Sequence, residues 1–194
     1  MPNIKRAVLT AILLLSFFAS SPFADDSDIK VLFSPQDECG KEILDRLNAA
    51  EKSIELAMYQ LTSRELSNAL ALAARRGVTV RVFLDGENAE ECYSKADFLK
   101  KNGVLVKLEK GEGLMHNKFC VIDEEVVITG SYNWTVSADL KNDENVIIIA
   151  SDKTANIYKK QFDKYWQGTY PDNAFYTNKN ILKKTSSFGD NNAR

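Results

Sequence analysis

The stretch that decides the reading is His116-Asn117-Lys118-Phe119-Cys120-Val121-Ile122-Asp123, followed six residues later by Gly130-Ser131-Tyr132-Asn133-Trp134. His116 is the only histidine in the chain. The apolar run 119–122 reads as a buried strand, and 115–123 with 125–129 as two strands joined by almost nothing, hence a hairpin. Residues two apart on a strand share a face, so His116 and Lys118 point the same way. Asp123 is an odd number of residues from both and lies beside the turn, which makes it a brace for the hairpin. Ser131 and Asn133 are also two apart, just past a strand end marked by Gly130. Pairing the two strands brings His116, Lys118, Ser131 and Asn133 to one end. An ammonium, an amide and a hydroxyl there suit a phosphate oxyanion, and an imidazole serves as nucleophile or general acid near neutral pH. Taken singly these residues are bland: a lone histidine is usually structural, and Gly-Ser-x-Asn alone is a turn.

Outward from this stretch, strand and helix signals alternate. Strands are expected at 29–34, 53–61, 78–84, 104–108 and 144–150. Helices are expected at 37–52, where Ile43, Leu44, Leu47 and Ala50 repeat with helical spacing, and at 64–76, capped by Ser63 and stopped by Gly77. Two more are expected, at 90–102 and from an Asp152 cap to about residue 166. The βαβα opening requires parallel pairing and the later hairpin adds antiparallel strands. The expected fold is α/β, one domain at 25–167, with a mixed, mostly parallel sheet flanked by helices on both faces.

The ends read differently. Lys5 and Arg6, the apolar run 7–19 and a small-residue segment ending at Ala24 read as a signal peptide over 1–24, cleaved after Ala24, which implies a periplasmic or secreted protein. The alternative is an uncleaved N-terminal membrane anchor. Residues 168–194 are polar and aperiodic and read as a flexible tail. The formal charge is −2, and −4 without the leader, which counts against bulk nucleic-acid binding and requires any polyanion to be gripped locally. In an oxidising compartment the pair to bridge among Cys39, Cys92 and Cys120 is Cys39–Cys92; the alternative is three free thiols. Cysteine and histidine spacings suit no structural zinc.

The combination H-x-K-x4-D-x6-G-S-x-N, matched at His116, Lys118, Asp123, Gly130, Ser131 and Asn133, resembles the signature of the phospholipase D superfamily. Phe33-Ser34-Pro35, the segment 54–59, Arg76-Gly77-Val78, Leu84-Asp85 and Asp143-Glu144-Asn145 extend the likeness over about 31–166. It is nearest to small bacterial Nuc-type endonucleases and mitochondrial phospholipase-D-like proteins. The resemblance implies a phosphohistidine intermediate and two motif copies per active site. This chain has one copy, so the resemblance implies a homodimer sharing one site. It counts Asp123 with the catalytic set, gives phosphate binding to Lys118 and Asn133 with Ser131 in support, and has Glu144 accept a hydrogen bond from His116; otherwise Glu144 simply starts a strand. Trp134 either borders the groove or belongs to the core. No cofactor or metal is expected. Three functions compete: a non-specific endonuclease, towards which Lys107, Lys110 and Lys118 lean; a phospholipase D acting on lipid headgroups; and a catalytically silent nucleic-acid-binding dimer.

Overall fold

Apolar residues on both sides of a strand require cover on both sides, and several strands here are apolar throughout: Leu56 and Ala57, Val82 and Phe83, Cys120 and Val121 are adjacent pairs that are all buried. The computed structural model describes residues 28–111 and 113–168. Its strands are β1 (Asp28–Ser34), β2 (Ser53–Met58), β3 (Thr79–Leu84), β4 (Leu105–Leu108), β5 (Lys118–Ile122), β6 (Val126–Gly130) and β7 (Glu144–Ala150). Its helices are α1 (Cys39–Ala49), α2 (Arg64–Arg75), α3 (Gly86–Glu90), α4 (Ala96–Lys101), α5 (Val136–Leu140) and α6 (Asp152–Gln167).

One sheet runs in the order β1-β7-β6-β5-β2-β3-β4. One face packs against α1, α2 and α4, where Ile43, Leu47, Leu70 and Leu99 meet Leu56, Val82, Cys120 and Ile148. The other face packs against α6 through Ala155 and Phe162, which meet Ala57, Phe83, Phe119 and Val121. The α/β architecture with helices on both faces is the expected one. The balance of strand directions is not: only β2–β3 and β3–β4 are parallel, and the other four pairings are antiparallel. Parallel neighbours need a long crossover, which only the first half of the chain supplies, whereas β5 and β6 are joined by a tight turn. Asp123 and Glu124 both have positive φ (56° and 62°), and the Glu125 N–H closes the turn onto Ile122 O at 3.0 Å, as in a type I′ turn.

Local details depart from expectation where short elements are involved. The helix expected at 90–102 is two pieces, α3 and α4, with Cys92 exposed between them. The cap of α6 is Ser151, whose hydroxyl accepts from Thr154 N–H, not Asp152. Ser63 caps α2 as expected. The Cys39–Cys92 bridge is not made: all three cysteines are free, Cys39 being packed in the core and Cys92 facing solvent. The expected signal peptide lies outside the described residues, as does the expected tail apart from Gly168, which ends α6 with φ 71°. Among the described residues no helix is long and apolar enough to cross a membrane.

Candidate active site

Strand register assembles the site. Met58 pairs with Lys118, Ser34 with Glu144, and Gly130 with Val146. The carboxyl ends of β1, β2 and β6 and the amino ends of β5 and β7 therefore lie at one end of the sheet. The segments after β3 and β4 reach the same end, the usual place for a ligand in an open α/β sheet. His116, Lys118, Ser131, Asn133 and Glu144 all belong to it.

His116 precedes β5 rather than lying in it, and its backbone N–H donates to Leu114 O at 3.0 Å. The connection is pinned from below by the buried Asp85 carboxylate, which accepts from Met115 N–H (3.2 Å) and from the backbone and side-chain amides of Asn88 (3.1 and 2.8 Å). Strand parity thus does not bring His116 and Lys118 together. Instead the Lys118 ammonium folds back and donates to His116 O at 2.8 Å. The imidazole is exposed and lies against the Tyr59 ring, with centroids 4.5 Å apart. Lys118 is 9% exposed. Burial pushes its pKa below the ordinary lysine value, and the Glu144 charge partly opposes the shift.

Asn133 Oδ1 accepts from the Gln60 backbone N–H at 3.2 Å. With its oxygen so engaged, the amide turns its N–H donors the other way. Ser131 behaves differently from expectation. Its hydroxyl donates to Glu144 Oε2 at 2.5 Å and accepts from Asn145 N–H at 3.1 Å, so its proton is committed to Glu144. Glu144 also accepts from Asn142 Nδ2 at 3.1 Å, and so is held by Ser131 and Asn142 rather than by the imidazole. Gly130, at φ +146°, allows this closeness, since a Cβ there would run into the Asn145 carbonyl.

Asp123 is not brought to the site. It stands at the far end of β5, about 16 Å along the strand from Lys118. There its carboxylate accepts from the backbone N–H groups of Glu51 (3.0 Å), Lys52 (2.7 Å) and Ser53 (2.9 Å). That corrects its place in the catalytic set and agrees with the bracing role that parity gives it. Trp134 is 2% exposed and belongs to the core, bridging to Leu61. Sequence reasoning passed over Tyr59 and Asp85 as site residues. Their signal was positional: each directly follows a strand that ends where β5 begins.

Comparison with known proteins identifies the family. The family model described as "Cardiolipin synthase, PLD-like domain" matches residues 43–166. Phospholipase D of Rickettsia conorii is 39% identical over 132 residues, covering 68% of this chain and 66% of that protein. The chain thus spans about two thirds of the length of that relative. Mitochondrial cardiolipin hydrolase of Xenopus laevis is 34% identical over 149 residues, 72% of this chain and 71% of the relative. Among solved structures, the phospholipase D family member Nuc from Salmonella typhimurium superposes with a TM-score of 0.69 at 26% identity, covering 73% of this chain and 95% of that one. A matching family model over most of the folded region, together with relatives of this identity, makes the chain a member of the phospholipase D-like family.

Proposed function

We propose that the protein is a metal-independent phosphodiesterase in which two copies of the chain share one active site. The observation that carries this is the chain's single imidazole, exposed against the Tyr59 ring whose other neighbour is the Lys118 ammonium, at the sheet end that also carries Asn133. One His116 attacks phosphorus, forming the P–N bond as the P–O bond to the leaving group breaks. The partner's His116, protonated, gives its proton to the departing oxygen. It then takes a proton from water, whose oxygen attacks phosphorus and displaces the first imidazole. Lys118 from both copies neutralises the non-bridging oxygens and Asn133 donates hydrogen bonds to them.

The expected endonuclease activity and the lipid alternative use this same chemistry, and the surroundings of the site favour the lipid headgroup. Leu114, Val136 and Leu140 are 59%, 59% and 64% exposed, on segments that flank His116 and Asn133. Acidic residues are frequent at this end of the sheet, among them Glu87, Glu90, Glu91 and Asp143, and they repel a long polyanion. Of the three lysines that leaned towards nucleic acid, Lys107 donates to Trp166 O and lies over its ring, Lys118 is part of the site, and Lys110 is left exposed after β4. Two relatives bear the names phospholipase D and cardiolipin hydrolase. A nuclease remains the second reading through the Nuc-like fold.

The test presents phosphatidylcholine vesicles, plasmid DNA and RNA, in EDTA, to wild type and His116→Ala. Headgroup release by wild type alone is expected. Cleavage confined to DNA or RNA transfers the assignment to the nuclease reading. Equal rates from the two proteins, or wild-type turnover lost on chelation and restored by a divalent ion, would overturn the mechanism.

A further inference from the structure

One side chain outside the motif touches both His116 and Lys118. Tyr59 directly follows β2, and its backbone N–H donates to Asn117 O at 3.1 Å, between His116 and Lys118 in sequence. Its ring lies 4.5 Å from the imidazole, centroid to centroid, with the planes at 54°. The Lys118 Nζ stands 4.9 Å from the centroid of the same ring. We infer that Tyr59 is a positioning residue that holds nucleophile and cation in fixed relation through its aromatic ring. The inference rests on the phosphohistidine reading above.

Three physical points support it. An ammonium drawn into a buried place loses water, and the negative face of an aromatic ring replaces part of that solvation. Lys118 has three N–H donors; one goes to His116 O, and the ring stabilises the charge while using none, leaving donors for a phosphate oxygen. His116 is exposed and its imidazole makes no hydrogen bond to the described residues, so the ring against it restricts its rotation before substrate arrives. The charged and titratable groups that bear on Lys118 are Glu144 from β7, His116 from the preceding segment and Tyr59 itself. Both contacts are made by the ring, so the phenolic hydroxyl is dispensable.

The test compares Tyr59→Phe and Tyr59→Leu with wild type in headgroup release or DNA cleavage, whichever the wild type performs, with thermal melting as the check on folding. Tyr59→Phe should keep kcat and the shape of the pH–rate profile. Tyr59→Leu should lose kcat about tenfold or more, with little change in KM. Its alkaline limb should also move to lower pH, because the ammonium has lost the face that stabilises it. If Tyr59→Leu does not fold, Tyr59→Met is read in the same way. An aliphatic variant with wild-type kcat, one whose loss leaves the alkaline limb in place, or a Tyr59→Phe as impaired as the aliphatic variant overturns the inference. A His116→Ala protein as active as wild type would instead defeat the phosphohistidine reading, and the two failures are distinct.

Discussion

Two influences act in opposite senses on the Lys118 ammonium. Burial lowers its pKa, and the Glu144 carboxylate raises it. The sum is a cation that gives up its proton at lower pH than an ordinary lysine, so turnover that needs the cation has its alkaline limb below the usual lysine range. Replacing Glu144 with Gln removes the opposing charge and leaves the burial. The expected outcome is a further shift of that limb to lower pH in a pH–rate profile of kcat, and an unmoved limb would show that a different group titrates there. The individual chemical groups were legible because His116, Lys118 and Asn133 are set by short spacings along one hairpin. The partners of Glu144 were not. Its bonds to Ser131 and Asn142 depend on how β6 and β7 pair and on the turn of chain before β7, neither of which a spacing encodes.

At the scale of elements, the β5–β6 hairpin is anchored at the end remote from the site by Asp123. Burial alone would raise the pKa of this carboxyl, but the N–H groups of Glu51, Ser53 and Lys52 more than reverse that and hold it below the ordinary value. A depressed folded pKa contributes stability that is complete above the unfolded value of about 3.9 and is lost as pH falls through the folded value. Asp123→Ala should therefore cost about 1–3 kcal/mol at neutral pH, measured by denaturant unfolding. The difference from wild type should narrow in acid, and turnover per folded molecule should be unchanged. Elements with strong local signals were readable: α2 between the Ser63 cap and Gly77, and the hairpin from its two apolar runs. Those that hang on tertiary contacts were not. The five-residue α5 is fixed by Asp139, whose carboxylate accepts from Gly40 N–H and Tyr132 O–H, and so ties α5 to the start of α1. Mixed strand direction was legible, but its proportion was not, because β1 pairs with β7 across most of the chain length.

For the molecule as a whole, the central expectation is that two copies make one site. When wild-type and His116→Ala chains are co-refolded in equal amounts, random pairing leaves about a quarter of the dimers with two imidazoles. Specific activity should then fall to about a quarter of that of wild type alone, as measured by initial rates. A fall to about one half would mean that each chain works by itself, and would remove the shared site from the mechanism.

The flank of the sheet at β1 has a further consequence. Ile29, Val31 and Phe33 alternate along a seven-residue strand that pairs on one side with β7, and all three are about half exposed. Among the described residues no other strand pairs with its second edge, where Asp37 covers only the Phe33 end, and such an edge with greasy side chains is a template on which another extended segment can crystallise into the sheet. Concentrated or heated preparations of this protein should accordingly clump from this flank, by an open-ended association unlike the closed pair proposed for turnover.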